Sequence, residues 1–595
     1  MTLTYDEILK LLRQTGAALC RLPGDMPEYG IFSSPLKILT AANTAEVVPL
    51  LAELEEALAD GRFAAGFIAY EAAPAFDHVF NTFQTEDFPA ACVAVYNDAP
   101  RHYSVFPDGD DNFFLDFEHE ISYDKYCAAL DRIAQDIVEG NIYQANFTFR
   151  NYAPAVAEPE RLFLDLVKRH PVPYPAFFNA GKFKILSISP ELFLEKHGRQ
   201  VKSSPMKGTA RRHPDAASDK AVAEWLAADP KNMAENLMIV DMVRNDFGRF
   251  CIPGSIRVDP LFRVETYPTV HQMISAVHGE TAAGKSLYDI LQATFPPASI
   301  TGAPKISAVN IISREEQSPR KVYTGTVGCF LPVGDLCLNV AIRTLICYAD
   351  RTELGIGSGI VYDSRPESEW REALLKSHFI NYSIPEFQVL ETMLWEKGRG
   401  IKYLSEHLVR AESTQRYFGR RWNRAAVDNA LSAVNLQCEQ ARLRLLIAPD
   451  GSAMVEIHPL AAAAGWGKTS LSILVSKETV DSHDVFLYHK TTSRDFYNRH
   501  FHDARAKGFD EVIFFNERNE LTEGAISNIF LCHRNQWFTP PLTCGLLPGI
   551  WREKTLHELN AVEKMLYPGD LKNAEEIILG NSVRGKGIVR EIVYQ

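Results

Sequence analysis

Ser204-Pro205-Met206-Lys207-Gly208-Thr209 is the stretch on which the reading of this 595-residue chain turns. Its lysine has a counterpart in His489-Lys490-Thr491-Thr492, far away and in a segment of different character. An amine becomes nucleophilic once desolvation or a neighbouring cation lowers its pKa, so lysine can make bonds as well as carry charge. Taken alone, each would read as a surface lysine, as most lysines are. The motifs around them reverse that reading.

The chain is too long for one core, so two or more domains are expected. With 46% hydrophobic and 23% charged residues, its composition is that of an ordinary globular protein. The net charge of -13 is spread along the chain and argues against a nucleic-acid partner. Ten cysteines contain no CxxC pair, a pattern that fits buried thiols in a reducing cytoplasm better than disulfides or zinc ligands. The N-terminal residues carry acids and no basic segment ahead of an apolar run, so no signal peptide is expected. Apolar runs such as 63–70 are too short to span a membrane.

Strands and helices mix up to about Tyr382. Tyr126, Leu130, Ile133 and Ile137 recur at helical spacing, with Gly140 as a stop. Residues 184–189 and 191–196 read as paired strands broken by Pro190. Residues 234–246 read as a helix with Leu237, Val240 and Val243 on one side. The pattern restarts near Ser383-Ile384-Pro385, and Glu391-Thr392-Met393-Leu394 opens a new unit. The expected domains are 1–382 and 386–595, with no flexible linker.

The first half carries a series of polar signatures. They are Tyr143-Gln144-Ala145-Asn146, Ser189-Pro190-Glu191, Pro205-Met206-Lys207-Gly208-Thr209, Ala234-Glu235-Asn236-Leu237-Met238, Ser299-Ile300-Thr301-Gly302, Ala341-Ile342-Arg343-Thr344, Gly357-Ser358-Gly359 and Glu369-Trp370-Arg371-Glu372 with Lys376. Together they resemble the chorismate-utilising enzymes: the component I chains of anthranilate and aminodeoxychorismate synthases, and the isochorismate and salicylate synthases. Gly66-Phe67-Ile68-Ala69-Tyr70-Glu71 is similar to the amino-terminal part of the aminodeoxychorismate branch. The resemblance covers about residues 1–380 and implies a large antiparallel β-sandwich with outer helices.

The resemblance also implies roles. Glu235 and Glu372 match magnesium-holding positions, with Glu369 close enough to act through water. A hard cation bound by oxygen ligands would orient a small dianion and offset its charge. Arg343 and Lys376 match the grip on substrate carboxylates. Gly357 and Gly359 would let backbone N–H groups approach the substrate, and Thr301, His271 and Gln144 match further substrate-facing positions. Glu191 matches the general acid that protonates a departing hydroxyl.

Two positions select among relatives. Where the isochorismate and salicylate enzymes carry a water-activating lysine, this chain has Gln144, which favours ammonia over water as nucleophile. Where anthranilate synthases carry alanine, it has Lys207, as aminodeoxychorismate synthases do. That lysine would hold the ring covalently before ammonia enters. Met206 and Pro297-Ala298 depart from the usual residues without removing a functional group, and the tryptophan-binding amino-terminal motif of relatives is absent. Gly328-Cys329-Phe330 lacks the residues that follow a glutaminase cysteine, so ammonia is expected from a separate glutaminase subunit.

From about residue 386 the signatures change to Tyr403-Leu404-Ser405-Glu406-His407-Leu408-Val409-Arg410, His489-Lys490-Thr491-Thr492, Leu521-Thr522-Glu523-Gly524-Ala525, Leu547-Pro548-Gly549-Ile550 and Asn581-Ser582-Val583. This order resembles the class IV pyridoxal-phosphate enzymes: branched-chain and D-amino-acid aminotransferases and aminodeoxychorismate lyases. The resemblance implies a two-domain α+β fold. Lys490 would bond pyridoxal 5'-phosphate, and Glu523 would pair with its ring nitrogen. Arg410, the backbone at Gly549 and Ile550, and the Ser582 hydroxyl would cradle the phosphate. Lyase and aminotransferase both stay open from these residues alone.

The pairing of halves implies magnesium-dependent amination of chorismate to 4-amino-4-deoxychorismate, then loss of pyruvate to give 4-aminobenzoate. The alternative is an anthranilate synthase joined to a class IV aminotransferase. Expected partners are chorismate, ammonia and the glutaminase, with a homodimer through the second half.

Overall fold

The computed structural model describes residues 3–24, 28–103, 113–382, 384–460, 466 and 470–595. Ser383, at the point where the sequence pattern restarts, lies outside the described residues. Contacts divide the chain into two units, Met1–Arg211 with Ala223–Ile384, and Arg212–Val222 with Pro385–Gln595.

Two antiparallel sheets, of ten and nine strands, build the first unit. Phe32, Phe178 and Ile185 of the larger sheet meet Phe67, Tyr96 and Cys329 of the smaller one in a shared core. Burying each such phenylalanine contributes roughly 1.5–3 kcal/mol. The outer faces are covered by helices. Tyr123–Val138, Pro159–Arg169 and Lys305–Glu315 pack on the ten-stranded sheet, and Val47–Ala59, Pro230–Gly248 and Leu287–Thr294 on the nine-stranded one. A third sheet joins Met206–Arg211, Val270–Ile274 and Arg263–Thr266. This is the antiparallel sandwich with outer helices that the resemblance implied.

The two strands around Pro190 exist, but they do not pair with each other. Phe183–Ser189 lies in the ten-stranded sheet between Tyr174–Asn179 and Thr344–Tyr348. Leu192–His197 lies in the nine-stranded sheet between Gln200–Ser204 and Asp335–Val340. Pro190 has no N–H to continue a ladder, and the chain changes sheet there. Glu191 therefore stands at the crossover between the sheets.

The helix expected at 234–246 runs from Pro230 to Gly248. Asp229 caps it by accepting from the Asn232 N–H at 2.9 Å, and proline suits its first turn. Its buried side carries Asn236, Ile239, Val240, Val243 and Phe247. At about 100° per residue Leu237 falls off that side, and it is 43% exposed rather than part of the apolar stripe. The helix Tyr123–Val138 buries Tyr126, Leu130 and Ile133, and Gly140 follows its end at φ 79°.

The second unit has two sheets. A four-stranded antiparallel sheet contains Val389–Glu396, Gly400–Ile401, Gln440–Ile447 and Ala453–Leu460. In an eight-stranded mixed sheet, Ser470–Val475 runs parallel to both Glu511–Phe515 and Gly585–Tyr594. Lys490 lies in the segment that joins the edge of the smaller sheet. Its carbonyl accepts from the Leu390 N–H at 2.9 Å, and the Thr492 N–H donates to the Gln388 carbonyl at 2.9 Å. Among the described residues, no helix is long and apolar enough to cross a membrane.

Candidate active sites

Lys207 stands on the strand Met206–Arg211, against the helix Pro230–Gly248. Its amine lies 3.4 Å from Glu235 Oε2, and its carbonyl accepts from Asn236 Nδ2 at 3.1 Å. Asn236 is itself fixed, because its Oδ1 accepts from the Ser275 hydroxyl at 2.6 Å. Gly359 comes up from the facing strand Arg351–Ile360. A methyl group there would sit 2.6 Å from Lys207 Nζ and 3.0 Å from Gln144 Nε2, so glycine leaves room for both where they stand and a larger residue would push them back. Gln144 is 1% exposed, and its Oε1 has no hydrogen-bond partner among the described residues. A buried acceptor left unmade costs about 1–3 kcal/mol, and this one suits an incoming donor.

Glu191 is buried beside this group. The Met206 N–H donates to its Oε1 at 3.3 Å. Burial pushes its carboxyl up to about 7, against the opposing pull of the Ser299 side chain, the Met206 N–H and the Lys207 charge. A carboxyl that exchanges its proton near neutrality fits general acid work.

Glu369 and Glu372 lie on the helix Pro366–Leu375. Lys376 Nζ meets Glu372 at 2.8 Å and donates to the Gly357 carbonyl at 2.8 Å. Its charge holds the Glu372 carboxyl below the usual range, against burial and with help from Lys207. Glu369 accepts from the Ser364 hydroxyl at 2.8 Å. These acids offer the hard oxygen donors that magnesium takes, and Glu235 and Glu372 are each faced by a lysine. Their three carboxylates do not converge to mutual coordination distance. Among the described residues only the exposed Asp481, His483 and Glu517 do.

Arg343 sits at φ 49°, and its backbone carbonyl accepts from the Ile188 N–H at 3.0 Å. Burial lowers its pKa, opposed only by Tyr267, and no acidic side chain pairs with it among the described residues. A part-buried guanidinium with no acidic partner among the described residues suits an anionic ligand. His271 is buried, bonds the Thr266 hydroxyl through Nδ1 at 3.0 Å, and pairs across the small sheet with Ala210. Thr301 is fully buried, and its hydroxyl donates inward to the carbonyls of Pro297 and Ala298 at 3.2 and 3.1 Å. Lys207, Gln144, Gly359, Glu235 and Glu191 are thus brought together, with Lys376 and Glu372 at the same strand. Asn236 and Ser299 were not singled out from the sequence, although both lie inside the quoted motifs.

In the second unit, burial lowers the Lys490 amine to about 7, helped by the Arg494 and Arg410 charges and opposed by Glu391 and Glu523. Such an amine is largely neutral in mildly alkaline water and can attack an aldehyde. Glu523 is 5% exposed; its Oε1 accepts from the Leu547 N–H at 3.1 Å and the Tyr497 hydroxyl at 3.4 Å, and its Oε2 from Asn528 Nδ2 at 3.0 Å. Burial raises its carboxyl to about 8, against the pull of the Leu547 N–H, Arg494 and Lys490. A cationic ring nitrogen would supply the counter-charge that this carboxyl lacks, so the residues fit pyridoxal phosphate.

Arg410 is held in place by an acid that sequence reading missed. Its Nε and Nη2 meet the buried Glu391 at 2.9 and 2.7 Å, and its Nη1 donates to the Pro548 carbonyl at 3.1 Å. Burial would raise the Glu391 pKa, yet Arg410 and His407 hold it down at about 2. Arg410 is thereby brought beside Gly549, which caps the helix Ile550–Glu558. A side chain at 549 would collide with Asn528 Oδ1. The N–H groups of that first helical turn are the anion-binding feature expected there. Ser582 is part-buried, in the turn between Glu576–Asn581 and Gly585–Tyr594. Asn528 lies inside a motif that runs on from Glu523 to Phe530 but was not singled out, whereas Glu391, one acid in an apolar strand, and Tyr497, in a polar helix, carried no local signal.

Residues 102–382 match the family described as chorismate binding enzyme, and residues 388–592 match amino-transferase class IV. An aminodeoxychorismate synthase of Streptomyces pristinaespiralis is 39% identical over 47% of this chain and 39% of its own length. An anthranilate synthase component 1 of Haloarcula marismortui is 36% identical over 45% of this chain and 55% of its own. The chain thus spans less than two thirds of these curated relatives. The crystal structure of anthranilate synthase component I from Streptococcus pneumoniae aligns with a TM-score of 0.51 at 23% identity, covering 62% of this chain and 91% of that one, a likeness of fold. The chain accordingly joins a chorismate binding enzyme domain, at residues 102–382, to an amino-transferase class IV domain, at residues 388–592.

Proposed function

We propose that the first unit aminates chorismate to 4-amino-4-deoxychorismate and that the second removes pyruvate from it to give 4-aminobenzoate. The observation that carries this reading is the Lys207 amine, part-buried and packed against Gly359 beside Gln144 and Glu235. Relatives of similar identity bear both aminodeoxychorismate and anthranilate synthase names, so overall similarity does not choose between the products. A primary amine at this spot favours the para route, because it can bond the ring and be displaced.

In that route Arg343 and Lys376 bind the two carboxylates of chorismate. Lys207 Nζ attacks the ring as the ring C–OH bond breaks, and Glu191 gives its proton so that the hydroxyl leaves as water. Ammonia then forms its own bond to the ring as the Lys207 N–C bond breaks, which returns the amine. Gln144 accepts a hydrogen bond from the bound ligand and cannot activate water at neutral pH. Magnesium held by Glu235 and Glu372 would neutralise carboxylate charge. Cys329 lies fully buried in mid-strand, and its thiol neighbour Cys20 and burial hold it protonated, which does not suit a glutaminase nucleophile. Ammonia would come from a separate glutaminase subunit.

In the second unit Arg410 and the Gly549–Ile550 turn would hold the phosphate of pyridoxal 5'-phosphate, with Ser582 as a further donor. Glu523 would hold the proton at the ring nitrogen. The cofactor, when bound through Lys490, supplies the electron sink. Lys490, once the substrate amine has taken its place on the cofactor, would take the proton from the substrate carbon that bears the amine, and the ring would become aromatic as its bond to the enolpyruvyl oxygen breaks, the enolpyruvate gaining a proton to leave as pyruvate. Incubation with chorismate, magnesium and ammonium, with and without pyridoxal phosphate, tests the reading. Para-aminobenzoate with the cofactor and 4-amino-4-deoxychorismate without it are expected; ortho-aminobenzoate would refute it.

A further inference from the structure

Behind the strand pair that faces Lys207 lies a buried ion pair that the reaction above does not use. Arg320 and Glu316 are four residues apart, just past the end of the helix Lys305–Glu315, and their side chains are 1% and 2% exposed. Arg320 bonds Glu316 through Nε at 3.0 Å and Nη2 at 2.6 Å. It also donates from Nη2 to the Asn146 carbonyl at 2.6 Å and from Nη1 to the Ile300 carbonyl at 3.0 Å. Glu316 Oε1 accepts both the N–H and the hydroxyl of Thr148, each at 2.8 Å. Glu71 closes the group from behind by accepting the Arg320 N–H at 2.6 Å.

Every backbone group gripped here adjoins the site. Asn146 and Thr148 lie opposite Gly359 and Gly357 in the sheet register. Gly359 is the surface against which Lys207 Nζ and Gln144 Nε2 pack, and the Gly357 carbonyl accepts from Lys376. Gln144 is two residues before Asn146 on the same strand, so their side chains share a face. Ile300 immediately precedes Thr301, whose carbonyl accepts from the Asn146 N–H at 2.7 Å.

Stability alone does not explain such a pair. Taking two charges out of water costs about as much as their attraction returns, and well-packed apolar residues often do as well. What an apolar pair could not do is hold two carbonyls and one N–H from separate segments at one point. Resting on the reading of the first site given above, we propose that Arg320 and Glu316 are positioning residues for chorismate amination. They set the strand pair under Gly357 and Gly359, and with it the seats of Lys207 and Gln144, relative to the carboxylate grip at Arg343.

The test is Arg320→Lys in the full chain, with magnesium, ammonium and varied chorismate. A lysine keeps the charge but cannot span Glu316 and both carbonyls. The kcat for amination should fall about 10- to 100-fold while KM for chorismate moves less than about threefold, because misplaced reacting groups cost rate more than binding. Turnover of supplied 4-amino-4-deoxychorismate should stay at its wild-type value, while the thermal unfolding midpoint falls, because the lysine leaves buried acceptors unpaired. An unchanged kcat overturns the proposal. So does a rise in KM that matches the fall in kcat, or a parallel loss of the second reaction, which marks a merely structural pair. If Arg320→Lys does not accumulate folded, Thr148→Val, which deletes one hydroxyl donor to Glu316, is judged by the same outcomes. Wild-type chain is assayed first: failure to form 4-amino-4-deoxychorismate there counts against the proposed function and not against the clamp.

Discussion

Adding one methyl group at Gly359 should separate catalysis from stability. In Gly359→Ala the new Cβ would lie 2.6 Å from Lys207 Nζ and 3.0 Å from Gln144 Nε2. An unstrained contact between such atoms is about 3.5 Å, so the amine must retreat by about 0.9 Å and the amide by about 0.5 Å. Both groups end flexible side chains, and Gly359 has no left-handed backbone that alanine would strain. Stability should therefore stay within about 1 kcal/mol of wild type, with about 0.4–1 kcal/mol available from reduced freedom of the unfolded chain. Rate is another matter, since a displacement of about 1 Å at the reacting atom costs about 100-fold. The assay is chorismate amination at saturating ammonium and magnesium, followed by product separation. Thermal unfolding and turnover of supplied 4-amino-4-deoxychorismate serve as controls. An amination rate within about threefold of wild type would refute the assigned place of Lys207.

Lys207→Ala should abolish amination and spare the second reaction, whereas Lys490→Ala should lose the visible-edge absorbance of bound cofactor and let 4-amino-4-deoxychorismate accumulate. With the free-ammonia concentration held constant, amination should decline as pH rises through about 7, where Glu191 loses its proton, and Glu191→Gln should remove that limb. The same shift carries a stability effect. The native carboxyl binds its proton more tightly than the unfolded one, so stability is lost as pH rises from about 4.5 to about 7, by at most about 3 kcal/mol. In urea unfolding, Glu191→Gln should therefore gain on wild type between pH 5 and pH 8. Cofactor association, read from absorbance, should weaken below about pH 7 as the Lys490 amine takes up a proton.

Most of the residues proposed for the two sites could be read from the chain, because each sits inside a short motif whose residue types suit one chemistry. Lys207, Glu235 and Glu372 come from separate segments, yet each carries its signal locally. Pairing was less legible. Residues 184–196 show two apolar strands around a proline, and nothing local says that they enter different sheets. Leu237 matches an apolar helical stripe in spacing, but the covered side of that helix is set by what packs on it. Glu391, which holds Arg410, reads as one acid in an apolar strand until the fold sets it opposite a guanidinium.

By itself, then, the order of residues pointed to the two lysines, the acids and arginines around them and a break between the halves, since these readings depend on side-chain type and on neighbours a few positions away. Only the tertiary structure decided that Glu191 would be desolvated, that Gly359 would leave space for an amine, and that Arg320 would bind carbonyls from two distant segments. Desolvation and contact distance arise between atoms remote in sequence, and they come into being only when the sheets and helices close on one another.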